Sequence, residues 1–213
     1  SRGLGDVYKR QTKMFRKNPD VLLKKATAKE KSGDIKGAIR LLRKAYKEIS
    51  KGPISYSVNT FLRLPLYLQK AGQSDKAWKE FKLLLTKGYP NQIKIPELIP
   101  MDHSIIYDKM RLFLQREGKN ELAVKFGVFS YLSWATGLYR QERYNELNEY
   151  TSEKFIREIV LNLLKKARKE ELLTEICAII ERQVKLLPNI DFNKTENELN
   201  EVIKLTNESS TLR

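Results

Sequence analysis

The chain contains one histidine, His103, and one cysteine, Cys177, so few kinds of chemistry are open to it. A histidine-based nucleophilic triad could use only His103, and no nucleophile motif flanks it. His103 stands between Asp102 and Ser104 at an expected helix start, where a capping role is the simpler assignment. No His/Cys pair has metal-ligand spacing. No glycine-rich loop followed by lysine is present to cradle a phosphate. The carboxylates are scattered among Lys and Arg at the spacing of i,i+4 helix-surface pairs. Cys177 follows Leu172, Leu173 and Ile176 on an apolar helix face and is expected to be a small buried hydrophobe. The residues therefore predict a non-catalytic chain with no cofactor and no metal.

The elements that position these residues follow from composition. With 213 residues, 41% hydrophobic and 31% charged, the chain can bury a sizeable core without disulfides. Apolar runs are short and interrupted by charge, which predicts no membrane span, and the single cysteine fits a reducing, cytoplasmic setting. The formal charge is +15 and unevenly placed. From Thr12 to Gly52 thirteen Lys/Arg face four acids, whereas from Asn189 to Arg213 three face five. A basic end of this kind suits an anionic partner, although solvent-facing lysines also serve solubility alone.

Three blocks repeat. Glu30-Lys31-Ser32-Gly33, Gln69-Lys70-Ala71-Gly72 and Gln115-Arg116-Glu117-Gly118 share one pattern, and Ala38, Ala77 and Ala123 each stand five positions after the glycine. The physical reading is a helix hairpin. The first helix closes on a glycine in the left-handed conformation, and Asp34 or Ser74-Asp75 caps the second. The alanine then admits close packing. Ala38, Ile39, Leu42 and Ala45 share one helix face; so do Ala77, Trp78, Phe81, Leu84 and Leu85. Neither hairpin can bury its face alone, so the hairpins are expected to stack.

Gly33 to Ala45, and Gly72 to Phe81 nearly as well, resemble the second-helix signature of the tetratricopeptide repeat (TPR). Gly118 to Ala123 keeps only the Gly and Ala. The resemblance spans roughly residues 18–150 in degenerate form and implies an all-α fold: a right-handed stack of antiparallel helix hairpins, a TPR-like α-solenoid of about eight to nine helices. It also implies a partner groove lined by first helices. The chaperone-tail clamp of some family members is not matched, since its positions correspond to residues such as Leu23 and Thr27. Asp6 to Gln11 resembles the translation of a transposase mosaic end used in sequencing libraries, so residues 1–13 are read as a non-native or disordered segment on a metagenomic reading frame.

Further along, Asn18-Pro19 opens the first helix. Pro65 is expected to kink or restart its helix. Ile93, Ile95, Leu98 and Ile99 are expected to tuck a proline-rich loop against the helices. Phe126, Phe129, Tyr131, Trp134 and Tyr139 are read as core of a long helix ending near Arg140. Helices over Ser152–Arg168, Lys169–Leu187 and Thr195–Leu205 form a C-terminal cap, residues 151–206, before a frayed tail, 207–213.

Two partners are expected from this layout. The leading expectation is a protein or peptide in the groove, contacted by Lys31, Asn59, Gln69, Lys70, Gln115 and Arg116. Lys31, Lys70 and Arg116 also complement the negative end of their own helices. The alternative is nucleic acid, bound by a basic face of Lys24, Lys25, Lys36, Arg40, Arg43, Lys44 and Lys47.

Overall fold

Several helices of the chain end where one residue adopts a positive φ and turns the backbone on itself. In the structure, a computed structural model that describes residues 18–203, Gly33, Gly72 and Gly118 take φ of 85°, 70° and 73°. Nothing lies within 4 Å of a Cβ built on any of the three, so it is the backbone angle that selects glycine, not lack of space. At Gly72 and Gly118 the next amide reaches back five residues: Gln73 N–H donates to the Leu68 carbonyl and Lys119 N–H to that of Leu114, each at 2.9 Å. This is the Schellman closure.

The same closure occurs twice more without glycine. Glu142 (φ 57°) precedes Arg143 N–H donating to Leu138 O at 3.0 Å, and Arg168 (φ 54°) precedes Lys169 N–H donating to Leu164 O at 3.0 Å. A search for glycine in the sequence passes over both.

Between these turns lie α1 (Pro19–Lys31), α2 (Ile35–Ile49), α3 (Val58–Lys70), α4 (Ser74–Lys87), α5 (Ile99–Arg116), α6 (Asn120–Arg140) and α7 (Tyr144–Glu149). Next, α8 (Ser152–Phe155) runs through a π-helical turn (Ile156–Val160) into α9 (Leu161–Ala167). A 3₁₀ turn (Glu170–Leu172), α10 (Leu173–Val184) and α11 (Phe192–Ile203) complete the described residues, which contain no strand. No helix among them is long and apolar enough to cross a membrane. The expected N-terminal segment 1–13 and tail 207–213 lie outside the described residues.

The chain divides into two units, Ser1–Ile93 and Lys94–Arg213. In the first, Asn18 accepts from Asp20 N–H at 2.9 Å and Asp34 from Gly37 N–H at 2.8 Å, as expected of caps. Ser74 is instead the first helical residue of α4, whose N-cap, Gln73, makes no side-chain bond. Ala38, Leu42, Ala45, Ala77 and Phe81 are fully buried, which closes α2 on α1 and α4 on α3. Helices α1 and α3 lie side by side and parallel. Tyr56, just ahead of α3, donates to Asp20 at 2.9 Å. Arg63 donates to Thr27 Oγ at 2.7 Å and to the Leu23 carbonyl at 3.0 Å, and Lys70 pairs with Glu30.

Pro65 does not restart the helix; α3 runs unbroken from Val58 to Lys70. Proline lacks the N–H that would serve the Phe61 carbonyl. Tyr46 of α2 reaches the same turn, its hydroxyl donating to Thr60 O at 2.6 Å and making a longer, shared contact of 3.4 Å with Phe61 O. Burial drives the Tyr46 phenol far above its ordinary value, so it stays a donor.

In the second unit α6 is buried along most of its length, packing on α5, the α8–α9 helix, α10 and α11. Tyr131 stacks on Phe155 with ring centroids 4.5 Å apart, and Phe129 meets Tyr107 and Phe192 at 5.4 and 5.9 Å. Phe126, Phe129 and Tyr131 are core as expected, Trp134 is half-buried, and Tyr139 is exposed, edge-on to Tyr144. Three further expectations are corrected. Ile93, Ile95 and Leu98 are 54%, 44% and 37% exposed rather than tucked in. Cys177 is half-buried. The last helix begins three residues early because Asp191 accepts from Lys194 N–H at 3.0 Å and caps it.

Two stability predictions follow from these contacts. Glu142→Gly and Arg168→Gly should each stabilise the chain by about 0.5–1 kcal/mol, since a side chain at positive φ is strained there. Melting temperatures should rise, and unchanged or lowered values would contradict the assignment. Tyr46→Phe should cost about 1–2 kcal/mol. In a Pro65→Ala background, where an N–H again serves Phe61, that cost should shrink by at least about 0.5 kcal/mol in a double-mutant cycle.

Candidate functional site

The titratable groups with displaced ionisation do not converge on a reaction centre. His103 lies inside the second turn of α5, not at its cap, which is Leu98. Its ring meets Tyr107 edge-on at 6.3 Å, and burial holds its pKa below the ordinary imidazole value against the opposing pull of Asp102. Burial pushes the Tyr107 and Tyr131 phenols up to about 12. The Cys177 thiol is raised by burial, with Glu181 adding to it. Gln183 carries a buried side-chain oxygen with no hydrogen-bond partner, a lone amide inside α10 rather than part of a cluster. Among the described residues no group of three or more His, Cys, Asp or Glu is placed to hold a metal.

The groove residues separate by unit. In the first, Lys31, Asn59 and Lys70 are exposed and Gln69 is half-buried. Lys70 is engaged by Glu30, so part of the expected groove is closed by an ion pair between α1 and α3. In the second, Arg116 is exposed while Gln115 accepts from Arg111 Nη1 at 2.8 Å. Gln115 also lines an open cleft of about 360 Å³ between α5 and the helix formed by α8, the π turn and α9. Arg111, Glu158, Asn162 and Lys166 supply its polar walls, and Ile159 and Leu163 its apolar part. Gly127 of α6 lets three of the lining side chains pack close against its backbone. A Cβ there would stand 3.2 Å from Arg111 Cδ, 3.5 Å from Leu163 Cδ1 and 3.6 Å from Ile159 Cγ2. Arg111 is fixed by Asp108, with Nη2 and Nε to Oδ1 at 2.6 and 3.1 Å. Residue spacing pointed to Gln115; the π turn opposite it left no sequence signal.

The basic-face residues are all exposed: Lys24 and Lys25 on α1, and Lys36, Arg40, Arg43, Lys44 and Lys47 on α2. The five on α2 fall within an arc of about 100° at 100° per residue. The buried Ala38, Leu42, Ala45 and Ile49 occupy the opposite side. The one carboxylate of α2, Glu48, lies at the edge of the arc and bonds Lys51 at 2.9 Å. At the N-terminus of α2, Asp34 pairs with Lys29 at 2.9 Å. The Lys29 bond first and the Gly37 N–H second hold its carboxyl below the ordinary value, with Arg40 adding a smaller pull.

Comparison with known protein families, curated proteins and solved structures finds no match to this chain.

The Asp34 cap gives a pH prediction. Because its folded pKa is depressed, its contribution to stability is present above the ordinary carboxylate value of about 3.9 and is lost as pH falls through the folded value. Asp34→Ala should therefore lower the melting temperature at neutral pH, with the gap to wild type closing as pH falls through the folded value. A gap independent of pH would contradict this.

Proposed function

We propose that the chain is a non-catalytic, TPR-like scaffold of the cell interior that binds a protein or peptide partner between the first helices of successive hairpins. The observation that carries the reading is the cleft holding Gln115. It lies between α5, the first helix of one hairpin, and the helix formed by α8, the π turn and α9. Its volume, about 360 Å³, falls in the range of ligand pockets. Its walls carry the polar groups of Arg111, Gln115, Glu158, Asn162 and Lys166, which could bond an extended backbone by exchanging the Arg111–Gln115 bond and the bond from Asn162 to the Glu158 carbonyl. Ile159 and Leu163 add the apolar part that a side-chain anchor needs. In the first unit, the parallel pairing of α1 with α3 supports the same hairpin-on-hairpin arrangement, with Glu30 and Lys70 occupying the channel.

A photo-crosslinking residue at Lys166 tests the reading. In lysate it should give nuclease-resistant protein adducts, and these should vanish when Asn162→Trp fills the cleft. A crosslinker at exposed Lys79 should give none of the same adducts. Equal adducts from both positions, or adducts indifferent to Asn162→Trp, would overturn the assignment.

A further inference from the structure

We propose that the outer face of α2 is a docking ridge for the phosphate backbone of double-stranded nucleic acid, independent of base sequence. It goes beyond the peptide cleft and rests on different residues.

The ridge is unfavourable for the isolated fold. Lys36 and Arg40, Arg40 and Lys44, and Arg43 and Lys47 are like-charged i,i+4 pairs. Each costs a helix about 0.2–0.5 kcal/mol. The only carboxylate at the positive end of α2 is the N-cap Asp34, which already pairs with Lys29 and Gly37 N–H, and the first turn itself adds no acidic residue. A polyanion along the ridge would remove these repulsions together.

Geometry and composition choose among polyanions. From Lys36 to Lys47 the ridge runs about 16 Å at 1.5 Å per residue. One strand of a duplex carries roughly five phosphates over that length of its axis, at 3.4 Å each; because the strand winds, about three of them face a straight ridge of five cations. No aromatic or apolar side chain stands among the five positions, so the ridge offers neither a stacking platform for unpaired bases nor an anchor for a peptide hot spot. The apolar face of α2 is buried against its own unit, which removes the surface an interfacial helix inserts into a lipid headgroup layer. Acidic α11 is not the natural occupant either. Its Glu196 bonds Lys125 at 2.8 Å and its Glu198 bonds Arg182 at 2.7 Å.

Fluorescence anisotropy of the full chain with labelled 20-base-pair duplexes, one DNA and one RNA of unrelated sequence, tests the proposal across about 50–200 mM salt. With three to five phosphates neutralised, log K against log salt should fall with a slope of about −3 to −4.5. Combining Arg40→Glu, Arg43→Glu and Lys47→Glu should weaken binding at least tenfold. The milder Gln versions should reduce the slope by roughly 0.9 for each contact removed, which keeps the test decisive if the Glu triple melts early. A control triple with the same charge change at exposed Lys79, Lys165 and Lys185 should leave affinity within a few-fold. Binding of either duplex in this pattern supports the ridge, and the comparison assigns the duplex form preferred. No binding at the lowest salt would overturn the proposal, as would equal losses from both triples. So would equal or tighter binding of polyglutamate or of the single strand.

Discussion

The tightest way for a helix to fold back on its neighbour is to end its last turn in a residue that tolerates left-handed backbone, and the structure depends on that constraint at Gly33, Gly72, Gly118, Glu142 and Arg168. Each reversal brings the next helix antiparallel to the last, and only then do the small residues matter. Ala38, Ala77 and Ala123, all at 0% exposure, let the paired helices approach. Where the closing residue is not glycine, surrounding packing must hold the strain. The Glu142 and Arg168 turns adjoin α6 and α9, among the helices that build the core of the second unit.

Packing between hairpins is then handled by individual polar contacts rather than by pattern. Tyr46 ties α2 to the Thr60 carbonyl of α3, one residue before the carbonyl Pro65 leaves unserved, and Arg63 ties α3 to the backbone of α1. In the second unit Lys125, one of the few buried cations, is accommodated by Glu196 and Asn200 at 2.8 and 3.3 Å. Such contacts join segments 14 to 75 residues apart. Local sequence periodicity carries no trace of them.

That difference explains what could be read from the residues alone. The glycine-centred turns, the caps at Asn18 and Asp34, and the apolar stripe of α2 are local, and each follows from backbone conformation or helix period. Positive φ at Glu142 and Arg168, the unbroken α3 through Pro65 and the π turn at Ile156–Val160 all run against the local preference of their residues, so residue type alone does not reveal them. The exposure of Ile93, Ile95 and Leu98 is a similar case: hydrophobicity predicted burial, but no nearby helix face covers them. Of the candidate surfaces, the α2 ridge was legible in full because one helix carries all five cations, while the cleft at Gln115 needed Gly127 and the π turn to become visible.

Both surfaces are therefore by-products of how the hairpins bury their apolar stripes: α2 turns its cations out because Leu42 and Ile49 must turn in. Hydrogen–deuterium exchange of the full chain, with and without a saturating 20-base-pair duplex, tests this most directly. The account predicts added protection concentrated in the amides of residues 34–51, with residues 156–167 at the cleft unchanged. Protection at 156–167 with none over 34–51 would contradict it.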